Sequence, residues 1–534
     1  MRTKRVLIVG GGSAGWTAAA FLNATLNTGN QKVAEISLVE SPNVPRIGVG
    51  EATIPNINQT LAAIGIDELE FMKAVDGTFK QSIRFDNWLD DDPNNKRNFY
   101  HHPFCRYGSG PADDPGRRWL MSDRSVPFMN TVSAQPAICE MGLSPKMLGN
   151  KNSGFPLHYA FHMDALKFAD YLHTFATARG VTDYLDHVID VDMHENGDIA
   201  AVRTESGKRL EADLFIDCTG FAARLIEKKL GVGFTDCSKW LLCDRAVTMN
   251  VPYDHHYPGY VRPYTTATAL SAGWVWEIPL QTRRALGYVH SSAHISANDA
   301  EKELRAFEGG HSKSLSTNVV DFMVGRRKQP WTANCVAIGL SGGFIEPLES
   351  TGLYLAQVAS ALLVEHFPYG DDMAPLAFRF NRIMQNGFYE ILDFINMHYC
   401  LTRRTDTEFW RDIRRPERIN DRLLAKLDYW RLKPPSVSDF ADQFFPNMLS
   451  EAGGTMGDSR FPIDTGGLWN HLSYENVLYG MDFLRGECDA MFGKNRPRPT
   501  TLKSVHDAIK GVPRKHPPHD VWLRRIVGMA DYSV

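Results

Sequence analysis

The N-terminal segment changes its hydrophobic period twice. Residues 5–9 (RVLIV) form a short β-branched run that ends at glycine, which is typical of a buried parallel strand. A helical pattern begins at Trp16 (WTAAAFLNATLN), and a second apolar run over residues 34–39 (AEISLV) ends at Glu40. The order strand, helix, strand predicts a βαβ unit with a parallel sheet at the start of the chain.

Later segments divide into β-rich and helical regions. Residues 212–217 and 335–339 repeat the apolar strand that leads into glycine, where an α/β sheet binds its ligand. Period-two alternation over residues 79–86 (FKQSIRFD) predicts one strand whose polar face includes Lys80. The tail over residues 513–520 (PRKHPPHD) is expected to form a surface loop.

These patterns suggest two regions. Residues 1–375 are expected to form a discontinuous core, interrupted at about residues 240–295 by a separate antiparallel sheet. Residues 376–534 are expected to be mainly helical.

The glycines after the first strand carry a dinucleotide-binding pattern, GGGSAG. Gly10 would make the tight turn, Gly12 would let the backbone approach a pyrophosphate, and Gly15 would allow the helix to pack closely on the strand. Glu40 follows Gly15 by roughly 25 residues and can accept the ribose hydroxyls. The pattern predicts a dinucleotide site, and an ordinary βαβ turn is the alternative.

The stretch GFIEPLESTGL, residues 343–353, combines two carboxylates with the start of a helix. Ser350 or Thr351 is expected to cap that helix, and its free N–H groups would form an anion site. A glutamate beside an anion site suggests chemistry that needs both. Glu349 is the catalytic candidate because it adjoins the cap, whereas Glu346 is expected to support the turn.

Composition excludes several classes of function. The chain has 534 residues, 43% hydrophobic, and a net charge of −4, so nothing indicates a nucleic-acid partner. Its eight cysteines form no CxxC pair and no metal-ligand cluster, which favours a reduced, cytoplasmic protein without a metal centre. We find no run of about 18 apolar residues and therefore expect no membrane span.

Four stretches together resemble the flavin-dependent halogenases, chiefly the tryptophan halogenases. They are GGGSAGW at Gly10, IGVGEATIP at Ile47, GWVWEIP at Gly273 and EPLESTG at Glu346. The resemblance extends to about Trp410. It implies an α/β fold with an FAD-binding Rossmann-like core (glutathione-reductase-like or aromatic-hydroxylase-like), an inserted antiparallel sheet and a helical C-terminal region.

The resemblance also implies a role for particular residues. Lys80 would accept or hydrogen-bond the electrophilic halogen, and Glu349 would orient it or take the ring proton. Thr351 and Gly352 would bind chloride or bromide. FAD would be held by Gly10, Gly12, Ser13, Ala14, Gly15, Glu40, Gly48, Val49, Gly50, Glu51, Ala52, Thr53, Gly339 and Leu340. A wall between flavin and substrate would be formed by Trp274, Trp276, Ile278 and Pro279, and the substrate would contact His101, Phe104, Pro55 and Trp469.

The implied reaction uses FADH2, O2 and a halide to make a flavin hydroperoxide and then hypohalous acid, which Lys80 captures. Since only one dinucleotide motif is present, a separate NAD(P)H-dependent flavin reductase is expected to supply FADH2. The substrate would be an electron-rich aromatic, an indole or a tryptophan-like molecule. The sequence does not show the family's tyrosine and glutamate pattern that binds the amino-acid group of tryptophan. It is therefore as compatible with an indole that lacks this group as with free tryptophan.

Two other functions remain open at this stage. One is an FAD-dependent aromatic monooxygenase that hydroxylates its substrate and does not need Lys80. The other is a flavin-binding protein without turnover. A homodimer is one assembly that the sequence allows.

Overall fold

The computed structural model describes residues 2–29, 32–44, 48, 50–92, 94–105, 114–149, 157–436, 439, 468–469, 471–484 and 495–532, and the fold is given for these. The strands are β1 Lys4–Val9, β2 Ala34–Glu40, β3 Gly50–Ala52, β4 Thr78–Lys80, β5 Ser82–Asp86, β6 Phe99–Pro103, β7 Ala160–Asp164, β8 Thr182–Leu185, β9 Val188–Met193, β10 Ile199–Thr204, β11 Arg209–Glu211, β12 Leu214–Asp217, β13 Phe234–Asp236, β14 Arg245–Pro252, β15 Thr265–Ala269, β16 Gly273–Pro279, β17 Arg283–His290, β18 Thr317–Asp321, β19 Gly325–Arg327, β20 Trp331–Thr332, β21 Cys335–Ala337 and β22 Gly343–Phe344.

The α-helices are α1 Ser13–Leu26, α2 Asn56–Ile64, α3 Glu68–Ala74, α4 Pro115–Leu120, α5 Phe128–Val132, α6 Gln135–Glu140, α7 Ala165–Thr177, α8 Ala297–Glu308, α9 Gly352–Glu365, α10 Ala374–Cys400, α11 Glu408–Asp412, α12 Asp421–Trp430, α13 His471–Gly480, α14 Lys503–Gly511 and α15 His519–Trp522. A 3₁₀ turn over Pro347–Glu349 precedes α9. In the described residues, no helix is long and apolar enough to cross a membrane.

The N-terminal unit forms a six-stranded sheet in the order β20-β21-β12-β1-β2-β8, parallel except for β20. The run over residues 5–9 is buried on both faces: Val6 and Ile8 pack in one apolar cluster, and Leu7 and Val9 in another. The two later runs that lead into glycine contribute β12 and β21. The predicted α/β core with its βαβ start is confirmed.

The glycine turn between β1 and α1 is as tight as the motif predicts. Gly10 has a φ of +114°, and a Cβ there would lie 2.2 Å from the carbonyl oxygen of Cys218 at the end of β12. A Cβ at Gly15 would lie 1.9 Å from the carbonyl oxygen of Gly10. Both positions therefore exclude any larger side chain.

The predicted antiparallel region belongs to a seven-stranded sheet in the order β18-β14-β17-β16-β15-β5-β6, antiparallel except for the parallel pair β15–β5. This sheet is larger than the segment at about 240–295, because β5 and β6 join it from the N-terminal third and β18 joins it beyond residue 295. Helices α10, α12 and α13 pack in the same core as one face of this sheet.

Two local predictions are wrong. Residues 79–86 form two strands in different sheets, since the backbone N–H of Gln81 donates to Pro263 O (2.8 Å) and takes the chain out of the first ladder. The tail over 513–520 is not a surface loop: His516 and His519 are buried, and His519 Nε2 accepts from the N–H of Phe79 at 3.2 Å.

Candidate active site

The 346–352 loop departs from the expected side-chain cap. Thr351 occupies the N-cap position of α9, but its side chain makes no capping bond. Ser350 lies in the left-handed region, with a φ of +60°. The buried Thr351 Oγ1 has no hydrogen-bond partner among the described residues. The backbone N–H groups at the start of α9 are therefore available to a ligand, since neither the Ser350 nor the Thr351 hydroxyl caps them.

Lys80 ends β4 and is fully buried against this loop. Its Nζ donates to Ser350 Oγ at 2.6 Å and lies 5.6 Å from the ring centroid of Phe104. Burial lowers the pKa of Lys80 to about 7, although the charges of Glu349 and Glu51 oppose the shift. A lysine with this pKa is partly neutral near neutral pH and can act as a nucleophile.

Glu349 is a buried carboxylate held between two histidines. His102 Nδ1 lies 2.9 Å from both carboxylate oxygens, and His398 Nε2 lies 2.9 Å from Oε1. Tyr100 OH is 2.6 Å from His398 Nδ1. Burial raises the pKa of Glu349, but the histidines outweigh it and hold the pKa at about 2. Glu349 is therefore ionised beside Lys80.

Glu51 places a second carboxyl near the lysine. It lies on β3, and β7 separates β3 from the Lys80 strand in a three-stranded sheet. Burial raises the pKa of Glu51 to about 7, and the charge of Lys80 opposes this. Lys80 and Glu51 thus titrate in the same range.

The GWVWEIP stretch is strand β16. Trp274 and Trp276 share one side, with ring centroids 6.2 Å apart at 62°. A Cβ at Gly50 would lie 3.2 Å from Ile278 Cγ2, and the Pro279 carbonyl accepts from Thr78 Oγ1 at 2.6 Å. The strand therefore touches both the segment after Gly48 and the strand of Lys80.

Glu346 does more than support the turn. Its Oε1 accepts a hydrogen bond from Trp274 Nε1 at 3.1 Å and another from Tyr399 OH at 2.5 Å. Its side chain is completely buried. The first carboxylate of the loop is thus bonded to the β16 wall and to α10.

The predicted substrate residues are placed differently. His101 does not join the cluster: it bonds Ser82 Oγ (3.0 Å) and Glu140 (2.9 Å), because successive side chains on β6 alternate between faces. His102, its neighbour, faces Glu349. Trp469 stacks on Phe394 with centroids 4.2 Å apart, and Phe394 packs against His102. Pro55 lies at the start of α2, in the segment after Thr53.

Sequence reasoning missed His398 and Tyr100. His398 stands in an otherwise largely apolar helical stretch, and helical periodicity alone places such a residue in the core. A histidine in the buried part of an apolar helix was the available signal. Tyr100 carried none, because an aromatic residue in a strand is ordinarily part of the core.

The predicted cofactor residues fall in two places: the glycine turn, Glu40 and Gly339 lie at the ends of β1, β2 and β21, whereas Gly50, Glu51 and Ala52 form β3. A Cβ at Gly12 would meet nothing within 4 Å, whereas the Glu40 carboxylate folds over Gly11. Two hydroxyls in this set bond to backbone carbonyls: Ser13 Oγ donates to Ala165 O (3.2 Å), and Thr53 Oγ1 donates to Phe161 O (2.8 Å). Ala14 adjoins Gly339, and Leu340 lies in the 3₁₀ turn Gly339–Ser341. Val49 lies outside the described residues. The open side of Gly12 fits a pyrophosphate, so the residues present fit FAD.

Among the described residues, one group of metal-ligand types lies elsewhere: His256, Glu308 and His311. Arg284 Nη1 already contacts Glu308 Oε2 at 3.1 Å, and His311 Nε2 lies 2.6 Å from Glu308 Oε1. The imidazole rings of His256 and His311 stack with centroids 3.7 Å apart, so their in-plane lone pairs do not converge. We interpret this group as an ion-pair network.

A parallel sheet that ends in a glycine turn, a buried lysine beside an ionised glutamate, and a strand with two tryptophans that contacts the lysine strand are together typical of a flavin-dependent enzyme. The family model described as "Tryptophan halogenase" matches residues 5–495, and the chain belongs to this family. The chain is 36% identical to tryptophan 7-halogenase RebH of Lentzea aerocolonigenes, over 95% of this chain and 94% of that protein.

Solved structures agree over the whole chain. The tryptophan halogenase of Shewanella frigidimarina NCIMB 400 superimposes with a TM-score of 0.85 at 32% identity, covering 99% of this chain and 98% of that one. BrvH, a flavin-dependent halogenase from Brevundimonas sp. BAL3, gives a TM-score of 0.79 at 32% identity, covering 98% and 99%. The resemblance that the four motifs indicated is confirmed, and so is the assignment as a flavin-dependent halogenase.

Proposed function

We propose that this enzyme uses FADH2, O2 and chloride or bromide to halogenate an electron-rich aromatic, an indole or a tryptophan-like molecule. The observation that supports this proposal most directly is the buried Lys80, which is hydrogen-bonded to Ser350 and lies beside the ionised Glu349. Reduced flavin with O2 would supply the oxidising power that converts halide to hypohalous acid. The protein's own residues then have to hold the halide, capture the product and remove a proton.

The halide is held at the start of α9. Thr351 and Gly352 offer backbone N–H groups that no side chain caps, and the positive end of the helix dipole favours an anion there. This site lies next to Ser350, which accepts from Lys80. An oxidised halogen formed there has a short path to the lysine.

Lys80 captures the halogen. A neutral amine can form an N–halogen bond with hypohalous acid and release water, and a protonated one can donate a hydrogen bond to the same molecule. Burial lowers the pKa of Lys80 to about 7, which makes the neutral amine available at neutral pH. Glu349 remains ionised and can accept the proton that the aromatic ring loses when a carbon–halogen bond forms.

The substrate lies on the side of His102, Phe394 and Trp469. The aromatic rings of this cluster, and Phe104 beside Lys80, suit a flat aromatic substrate. RebH acts on tryptophan, as its name states. A separate NAD(P)H-dependent flavin reductase supplies FADH2, since the first 40 residues hold the chain's one dinucleotide pattern.

The test uses purified protein with FAD, a flavin reductase, NADH, bromide and either indole or tryptophan, followed by mass spectrometry. A product with the bromine isotope doublet supports the proposal. A hydroxylated product that Lys80→Ala still forms would instead establish an aromatic hydroxylase. No oxidised product across a panel of indoles and phenols would favour a flavin-binding protein without turnover.

A further inference from the structure

Glu346 links three separate elements through one buried oxygen. The indole N–H of Trp274 on β16 and the hydroxyl of Tyr399 on α10 both donate to Oε1. The carboxyl itself precedes the 3₁₀ turn Pro347–Glu349, which leads to Ser350. The wall strand, the long helix and the 346–352 loop therefore share a single junction.

The groups that hydrogen-bond to Glu346 at this junction are uncharged. Both donors are neutral, and no N–H or O–H donor among the described residues reaches Oε2. Cys243 is a third uncharged neighbour: its thiol hydrogen-bonds to Glu346, and its Sγ lies 3.5 Å from Tyr399 OH. Burial raises the pKa of Glu346 to about 7, whereas Glu349, three residues on, has its pKa held at about 2. Near neutral pH Glu346 is therefore a mixture of the protonated and ionised forms, because burial without a cation disfavours the charge.

The junction also reaches the catalytic pair. Tyr399 follows His398, the residue that contacts Glu349, so neighbouring residues of α10 hold the two glutamates of the loop. Trp274 lies on the strand that touches the segment after Gly48 through Ile278. A shift at Glu346 would therefore move the wall relative to Lys80 and Glu349.

We propose that Glu346 is a positioning residue which, through its hydrogen bonds to Trp274 and Tyr399, fixes the Trp274 wall to the 346–352 loop and so keeps the oxidised halogen on its path to Lys80. This inference rests on the proposed function. If the junction opens, hypohalous acid escapes to solvent before Lys80 captures it. The ratio of halogenated substrate to escaped oxidant then falls.

Conservative replacement can keep the hydrogen bonds of Glu346 and remove its titratable group. In Glu346→Gln the amide oxygen can accept hydrogen bonds from both Trp274 and Tyr399, and the amide NH2 takes the place of Oε2. We therefore expect Gln to keep the wild-type ratio. Glu346→Ala and Tyr399→Phe each break the junction, and we expect the ratio to fall about 5-fold for each hydrogen bond lost.

The experiment measures brominated substrate by mass spectrometry and escaped hypobromous acid with an added β-diketone trap, with the melting temperature of each variant. Tyr288→Phe is the matched control, since it removes a Tyr288–Glu303 hydrogen bond (2.9 Å) on the opposite face of the same sheet. We expect it to lower the melting temperature without raising the trapped oxidant.

Each result is decisive. A wild-type ratio in both Glu346→Ala and Tyr399→Phe, or a Gln variant as impaired as Ala, overturns the positioning role. Increased trapping in the Tyr288→Phe control would reduce the effect to lost stability and also overturn it. Failure of the wild-type enzyme to brominate any substrate would count against the proposed function instead.

Discussion

Lys80 Nζ donates a 2.6 Å hydrogen bond to the hydroxyl of Ser350, whose backbone is in the left-handed region. A non-glycine residue in that conformation carries strain that its surroundings must hold in place. The bond contributes to that restraint and fixes the amine beside the start of α9. Ser350 thus links the lysine to the residues that we propose hold the halide.

Replacement of this lysine separates halogenation from flavin binding. We expect Lys80→Met to lower halogenated product by at least about 100-fold, because the amine that captures the halogen is lost. FAD affinity should stay close to wild type, since Lys80 is not part of the glycine turn, whereas loss of the buried hydrogen bond to Ser350 should lower the melting temperature modestly. Mass spectrometry of the product and equilibrium dialysis of FAD check both. Undiminished bromination would remove Lys80 from the mechanism.

The pH profile tests which form of Lys80 acts. Its pKa is lowered to about 7 by burial, so the neutral fraction grows as pH rises through about 7. If capture forms an N–halogen bond, single-turnover halogenation should rise over that range and level off above about pH 8. Glu51→Gln removes one of the charges that raise this pKa, so the midpoint should move to lower pH. A midpoint that moves upward would contradict this assignment.

Sequence reasoning predicted the parts of the fold that depend on local pattern. The βαβ start and the helical region after residue 376 both follow from the hydrophobic periodicity. The division of residues 79–86 between two sheets could not be predicted in this way, because it depends on the pairing of Gln81 with Pro263, which is distant in sequence. Backbone pairing between segments that are distant in sequence is not visible in the local pattern of hydrophobic and polar residues.

The candidate site shows the same limit. Motif resemblance indicated Lys80 and Glu349, and the structure brings them to one cluster. His102 and His398 were not recognised as partners of Glu349, because the face of β6 that meets α10 is decided by tertiary packing. A one-residue step along a strand reverses the direction of the side chain. His102 therefore faces Glu349, whereas His101, which the resemblance placed at the substrate, bonds Ser82 and Glu140.

Adjacent histidines on β6 give a paired test. We expect His102→Phe to lower halogenation about 10-fold or more, because it removes a group that orients Glu349. Burial raises the pKa of Glu349 and the histidines lower it, so the acid limb of the pH–rate profile should move upward in this variant. The pH dependence of kcat checks this.

His101→Phe is the comparison for that test, since His101 bonds Ser82 and Glu140 away from the cluster. It should change the melting temperature more than it changes kcat, and its acid limb should stay in place. Equal effects of the two variants on the pH profile would contradict the alternation of His101 and His102 across β6.

Two glycines of the first turn separate folding from cofactor binding. A Cβ at Gly10 would lie 2.2 Å from Cys218 O, and φ there is +114°, so Gly10→Ala should lower the melting temperature even without FAD. A Cβ at Gly12 meets nothing within 4 Å, so Gly12→Ala should keep the melting temperature of the FAD-free protein. It should nevertheless weaken FAD binding by about 10-fold or more, because the methyl group fills the space where the pyrophosphate approaches. Thermal unfolding with and without FAD checks both variants, and wild-type FAD affinity in Gly12→Ala would show that the cofactor does not approach this turn.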